Sequence, residues 1–175
     1  MRLTSSRVLT PQGLRPATVV VEGAQVRALE PAGQQQAVDL GDLVLMQGLV
    51  DTHVHVNEPG REAWEGWHTA TTAAALGGVT TLGDMPLNSL PVTTTLDALH
   101  QKQASTQGKL HVDVALWGGV VPGNAPELGP MVQAGVRGFK CFLCPSGIDE
   151  FPEATRADLE LAMPALRELG VPLLA

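Results

Sequence analysis

Apolar and polar residues alternate with a period of two along the first 45 residues of the chain. This period is typical of short β-strands with one buried face, and the Pro- and Gly-containing turns between them indicate hairpin-like connections. Strands are predicted at Arg2–Leu9, Ala17–Glu22, Gln25–Leu29 and Ala37–Leu40. We therefore assign residues 1–45 to a small β-rich segment.

From Val44 onward the pattern changes to apolar strands that alternate with helices and Gly-rich turns, which is a βα repeat. Strands are predicted at Leu49–Val56, Val79–Met85, His111–Gly118, Val136–Leu143 and Val171–Ala175. Helices are predicted at Trp64–Leu76, Leu96–Thr106, Glu127–Ala134 and Asp158–Leu169. Thr94 and Thr155 are expected to begin the second and fourth helices through capping boxes, and Pro164 is expected to break the fourth. Residues 46–175 thus form an α/β segment.

His53 and His55 end the first of these apolar strands. Side chains two residues apart on a strand leave the same face, so the two imidazoles are presented together. Asp51 is expected on that face as well, where its carboxylate can fix a ring tautomer by accepting a hydrogen bond from a ring nitrogen that does not bind the metal. A polar loop, residues 57–61, follows at once, and α/β folds place their chemistry at this end of the strands. The pattern favours a metal site, although two such histidines can also form a hydrogen-bonded structural pair.

Lys140 is the one lysine of an apolar predicted strand that is otherwise suited to burial on both faces. Burying an ammonium group is unfavourable unless the charge is paired or neutralised. One explanation is an edge strand whose lysine reaches solvent. The other is a desolvated, neutral amine, which can add carbon dioxide and become a carbamate able to bridge two metal ions.

Charge and composition narrow the expected partners. The net charge of −7, without a cluster of Lys or Arg, argues against nucleic acid and anionic membranes and favours a small polar substrate. The sequence shows no signal peptide and no apolar stretch long enough to span a bilayer, so we expect a cytoplasmic protein. Cys141 and Cys144 lack a second ligand pair for a zinc knuckle and are expected to be reduced thiols.

Three motifs in this order resemble the cyclic amidohydrolases, and most closely the allantoinases. They are Asp51–Arg61, Asp84–Pro91 and Gly138–Leu143. The similarity runs from about Gly48 to the last residue, and residues 1–45 resemble the N-terminal part of the small β-sandwich of these enzymes. The resemblance implies an α/β fold, namely a partial TIM (β/α)8 barrel of about four to five strands preceded by that β-sandwich segment.

By the same resemblance, His53 and His55 bind one divalent metal ion, and carboxylated Lys140 bridges it to a second. Zinc is the first expectation for both ions, with cobalt or manganese as alternatives, and carbon dioxide is needed to carboxylate the lysine. The implied reaction is hydrolysis of the hydantoin ring of allantoin to allantoate, a step of purine catabolism. A homo-oligomer is expected for the complete enzyme.

The loops at the strand ends bear on which ring is opened. Dihydroorotases typically carry an arginine two positions after the second histidine, where this chain has Asn57, and this counts against that branch. Arg61 and Asn88 lie on predicted loops and are candidates for substrate binding, but they are equally explicable as turn and surface residues. Hydantoinase or dihydropyrimidinase activity remains the alternative, because ring specificity depends partly on other loops.

The number of βα units limits what this chain is expected to do alone. A closed barrel needs eight strands, and the fifth predicted strand runs to Ala175. We therefore expect the first half of a barrel, truncated in strand five. The family's catalytic aspartate and second histidine pair would lie beyond Ala175, so no catalytic residue is assigned here and the chain alone is expected to be inactive. The alternative from another class is a non-catalytic relative with only an assembly role.

Overall fold

Eleven strands and four α-helices make up the fold, which a computed structural model describes over residues 1–175. Contacts along the chain divide it into two units, Met1–Gly48 and Leu49–Ala175. None of the four helices has the length and apolar character needed to cross a membrane.

The first unit is a five-stranded sheet. Its strands are β1 (Arg2–Thr10), β2 (Gly13–Glu22), β3 (Gln25–Glu30), β4 (Val38–Asp39) and β5 (Val44–Leu45). Strand β1 pairs antiparallel with β2 and parallel with both β4 and β5, while β3 pairs antiparallel with β2. The four predicted strands of this segment are therefore present, and β5 is added to them.

The second unit alternates strands with helices, which confirms the predicted α/β class. Its strands are β6 (Leu49–Val54), β7 (Val79–Asp84), β8 (Asp113–Leu116), β9 (Gly118–Gly119), β10 (Phe139–Lys140) and β11 (Leu173–Leu174). Its helices are α1 (Trp67–Leu76), α2 (Leu96–Ser105), α3 (Leu128–Gln133) and α4 (Arg156–Leu169), with a 3-10 turn at Ala125–Glu127 before α3. All strand pairs in this unit are parallel.

Two three-stranded sheets, β6-β7-β8 and β9-β10-β11, meet at Trp117. The Trp117 N–H donates to the Asp84 carbonyl and the Gly118 N–H donates to the Gly138 carbonyl, each at 2.9 Å. Strands β8 and β9 therefore run almost continuously between β7 and β10. This arrangement places the carboxyl ends of β6, β7 and β10 along the same edge.

Each helix contributes a large buried side chain to one core. Its centre comprises Trp67, Leu99, Met131, Phe139 and Leu166, all essentially inaccessible to solvent. A smaller cluster beside the loops is formed by Met85, Leu87, Val92 and Phe151. Burial of this apolar surface provides the main drive for folding of the unit.

Helix α4 is continuous across Pro164, so the predicted break is wrong. Thr155 and Asp158 form the predicted capping box at its start, and Ala162 and Leu166 are buried on both sides of the proline. The cap and the buried face thus hold the helix together despite the missing backbone donor. In α2 the N-cap is Thr95, which accepts the Ala98 N–H at 3.2 Å, rather than the predicted Thr94.

The prediction of a buried strand at residues 49–56 is wrong for its first half. Leu49 and Val50 are 51% and 62% exposed, because β6 lies at the edge of its sheet and pairs only with β7. Strand β10 is also much shorter than predicted, with Arg137 and Leu143 exposed on either side of it.

Candidate metal centre

His53, His55 and Lys140 meet at the carboxyl edge of the sheet. Lys140 Nζ lies 3.2 Å from His53 Nε2, and the ring centroids of His53 and His55 are 5.3 Å apart. His53 comes from the end of β6 and Lys140 from the end of β10, 87 residues later in the chain. The structure thus brings all three sequence-predicted ligands into one cluster.

The Asp51 carboxylate makes no hydrogen bond to the imidazole of His53 or His55. Its Oδ1 accepts the backbone N–H of His53 at 3.1 Å. The register between β6 and β7 shifts after Asp51. Asp51 pairs with Leu82 and Val54 pairs with Asp84, so β6 advances three residues where β7 advances two. Such a bulge breaks the alternation of faces between Asp51 and the histidines, which the sequence pattern does not reveal.

His55 is half-buried and has an incompletely satisfied ring. Its Nδ1 is shielded from solvent and has no hydrogen-bond partner. Burial lowers the pKa of His55, the nearby Lys140 and His53 lower it further, and Leu87 and Asn88 oppose this shift. A buried nitrogen without a partner is unfavourable unless something binds it, and a neutral imidazole is the form that binds metals.

Lys140 is half-buried and pairs with no carboxylate in the chain. Its Nζ lies 5.1 Å from the centre of the Phe142 ring. Burial lowers the pKa of Lys140 below that of an ordinary lysine. This is the direction needed for a neutral, nucleophilic amine.

These donors fit a divalent metal ion in part. Two imidazoles are suitable ligands, and the unpartnered His55 nitrogen is the kind of atom that a metal satisfies. No three His, Cys, Asp or Glu side chains come together in this chain as a metal-binding group. A third protein ligand of ordinary type is therefore present only if Lys140 is converted to its carbamate, which has carboxylate-like oxygens.

The loops around the cluster hold the two candidate substrate-binding residues. Asn88 has a left-handed backbone with φ of 81°, and its side chain lies beside His55. Arg61 is instead occupied by protein groups: it donates to the Asn88 carbonyl at 3.4 Å, lies 3.7 Å from Glu150 and stacks on Trp64. Arg61 therefore ties three loops together.

A buried ion pair behind the cluster was missed from the sequence. Lys102 Nζ lies 2.8 Å from Asp84 Oδ2, with 0% and 1% of the two side chains exposed. Burial raises the pKa of Asp84 to about 6 and lowers the pKa of Lys102, while each partner opposes the shift of the other. The one available signal was a lysine three residues after Leu99 on the apolar face of a predicted helix.

The remaining histidines and both cysteines lie outside the cluster. His68, His100 and His111 are exposed, and the rings of His68 and His111 contact each other at 3.0 Å. Cys141 is buried and Cys144 exposed, and both are free thiols.

Comparison with known proteins places the chain in a family. A model of the dihydro-orotase-like family matches residues 42–135, which is more than half of the chain. The chain belongs to the dihydro-orotase-like family. Within it, the resemblance to allantoinases is confirmed by curated relatives at 40% to 52% identity over most of the chain.

Among these relatives, an allantoinase of Streptomyces avermitilis is 52% identical over 96% of this chain and 39% of its own length. The mitochondrial allantoinase of Aquarana catesbeiana is 46% identical over 94% of this chain and 35% of its own length. Among solved structures, an L-hydantoinase (dihydropyrimidinase) from Arthrobacter aurescens matches with a TM-score of 0.84 and 29% identity, over 98% of this chain and 39% of that one. The chain spans about two fifths of the length of these dihydro-orotase-like relatives.

Proposed function

We propose that a protein containing this chain is a metal-dependent cyclic amidohydrolase that opens the hydantoin ring of allantoin to give allantoate. The observation that carries this proposal is the convergence of His53, His55 and Lys140 at the carboxyl edge of the sheet. The identity of 52% to an allantoinase supports the choice of ring.

In this proposal His53 and His55 hold one divalent ion, with zinc as the first choice. The Lys140 amine would attack the carbon of carbon dioxide. An N–C bond forms as one C–O π bond opens, the electron pair of that bond stays on oxygen as the carbamate charge, and the nitrogen loses a proton to solvent. The carbamate would be a ligand for a second ion. Bound divalent ions supply a nucleophile from water near neutral pH and polarise the ring carbonyl. The half-buried setting of Lys140 favours the neutral amine that the carboxylation requires.

The proposal extends to the architecture. Residues 46–175 are taken as the first half of a (β/α)8 barrel and residues 1–45 as part of a small β-sandwich. Parallel strands in chain order, interleaved with helices, support the barrel half. The other metal ligands and a proton-transferring aspartate then come from the rest of a cytoplasmic, homo-oligomeric enzyme.

The loop residues receive separate roles. Asn88 stands beside His55 and is proposed to contact the substrate. Arg61 is proposed to shape the pocket by bracing its loops, since its guanidinium is already engaged by Glu150 and the Asn88 carbonyl. Asp51 is proposed to support His53 through the backbone rather than through a ring nitrogen.

A hydantoinase or dihydropyrimidinase is the second candidate, favoured by the close structural match to the L-hydantoinase. It would use the same residues on a different ring. The two candidates differ only in substrate, so a substrate comparison separates them.

The test is a panel of allantoin, hydantoin and dihydrouracil, assayed with the complete gene product that contains this chain. We expect the highest kcat/KM with allantoin, and no turnover of any substrate by a His53→Asn, His55→Asn double variant. Preference for dihydrouracil would select the second candidate. If the complete gene product shows neither turnover nor bound metal, the proposal of an enzyme is contradicted. The alternative is then a non-catalytic relative with only an assembly role.

A further inference from the structure

The ion pair between Asp84 and Lys102 is the most deeply buried pair of charges in the chain. Asp84 ends β7, Lys102 lies in α2, and at most 1% of either side chain is exposed to solvent. A buried ion pair contributes little net stability, because the loss of hydration offsets the attraction between the charges. Its presence beside the candidate metal centre therefore calls for a more specific role.

Both partners bind the same residue, Val56. The Val56 N–H donates to Asp84 Oδ1 at 2.6 Å, and Lys102 Nζ donates to the Val56 carbonyl at 2.9 Å. Val56 is 1% exposed, so water does not compete for these groups. The N–H and the carbonyl of Val56, the residue that follows His55, are thus both hydrogen-bonded to the ion pair.

The backbone polar groups of Val56 need these hydrogen-bond partners. Strand β6 ends at Val54, whose carbonyl accepts the N–H of Met85, the residue after β7, at 2.8 Å. Beyond it the backbone polar groups of Val56 have no strand partner, and leaving them unpaired in the interior would be unfavourable. Hydrogen bonds to charged groups are shorter and stronger than neutral ones, so the ion pair holds this segment more firmly than neutral side chains would.

We propose that Asp84 and Lys102 are positioning residues for the metal centre. They hold the N–H and the carbonyl of Val56, and so fix the orientation of the imidazole of the preceding residue, His55. The inference rests on the proposed function in one respect, that His55 serves a metal ion. The orientation of the ring itself is a property of the chain without metal. The competing explanation is that the pair only stabilises the core.

A double variant separates these explanations. Lys102→Met alone would leave Asp84 buried with an unpaired charge and could unfold the protein for that reason. The double variant Asp84→Asn, Lys102→Met removes both charges, so no unpaired charge remains to unfold the protein. The matched control is Thr71→Val, a fully buried threonine of α1 whose hydroxyl donates to the Trp67 carbonyl at 2.6 Å.

The readouts are the imidazole proton and nitrogen signals of His55 in the metal-free chain, and Co²⁺ binding followed by its visible absorption. In the double variant we expect the His55 signals to shift and Co²⁺ to bind at least about tenfold more weakly, with altered absorption bands. The exposed His100 should show no change. Thr71→Val should lower the unfolding midpoint without moving the His55 signals or the Co²⁺ affinity.

A folded double variant with the His55 signals and Co²⁺ affinity of the wild type would overturn the proposal. All variants are made in the complete gene product that contains this chain. If its wild type binds no Co²⁺, the proposed function fails, while the imidazole signals still decide the positioning role. If the double variant does not fold, amide exchange at Val56 in the wild type decides. If the Val56 amide is protected as strongly as core amides, the proposed hydrogen bonding by Asp84 and Lys102 is supported. If it exchanges at the rate of an exposed loop, that hydrogen bonding is contradicted.

Discussion

Lys140 is the residue on which the proposed chemistry depends most. Arginine would keep its positive charge and much of its length, but a guanidinium stays protonated and cannot become a carbamate. In the complete protein we expect Lys140→Arg to lose one of the two metal ions and to lower kcat by at least about a thousandfold. Elemental analysis and steady-state kinetics measure the two effects.

A smaller side chain at the same position provides the control. Lys140→Ala should leave space in which a short carboxylate such as acetate or propionate can replace the carbamate. Partial recovery of activity with added carboxylate is therefore expected for Lys140→Ala and not for Lys140→Arg. An arginine variant with normal metal content and full activity would refute the assignment of Lys140.

His53 and His55 should be needed for metal and not for folding. His53 is exposed and His55 only half-buried, so neither is a major part of the core. Changing both to Asn should abolish bound zinc and leave the circular dichroism spectrum and the unfolding midpoint nearly unchanged. Loss of folded structure, with unchanged metal per folded molecule, would instead mean that the pair is structural.

At the level of elements, helix α4 provides a prediction about pH. Hydrogen bonds from the Thr155 side chain and backbone hold the pKa of Asp158 below its ordinary value of 3.8. A carboxylate whose pKa is depressed on folding contributes stability above its unfolded pKa and loses it as the pH falls towards the folded pKa. Wild type should therefore exceed Asp158→Asn in stability near neutral pH, and the difference should shrink below about pH 4.

Urea unfolding of the two proteins between about pH 3 and pH 7, followed by circular dichroism, measures this difference. Thr155→Ala, which removes the other half of the capping box, should show the same trend. A stability difference that does not vary with pH would show that Asp158 acts without its charge.

Element type was predictable from the sequence, whereas element edges were not. Period and turn residues located all four helices and the parallel strands of the second unit, since these depend on local pattern. The shift in register between Asp51 and Val54 depends on pairing with β7, and the exposure of Leu49 depends on its place at a sheet edge. Both are tertiary effects that a local pattern does not contain.

For the molecule as a whole, the site was predictable to the extent that its residues carry unusual chemistry. Two histidines on one strand and a lysine in an apolar strand are anomalies that stand out in the sequence, and the structure brings them together. The Asp84–Lys102 pair did not stand out, because each charge on its own can lie at the surface and only the fold buries them against each other. Arg61 was predicted either to bind substrate or to be a turn or surface residue, and only the fold shows that its guanidinium lies 3.7 Å from Glu150.

The proposed function depends on a metal centre formed by His53, His55 and Lys140 in this dihydro-orotase-like chain. Anomalous X-ray scattering at the zinc absorption edge, from crystals grown with zinc and bicarbonate, tests it most directly. We expect a peak about 2.1 Å from one nitrogen of each of His53 and His55, with extra density on Lys140 Nζ for a carbamate. A strong peak between His68 and His111, with none at His53 and His55, would contradict it.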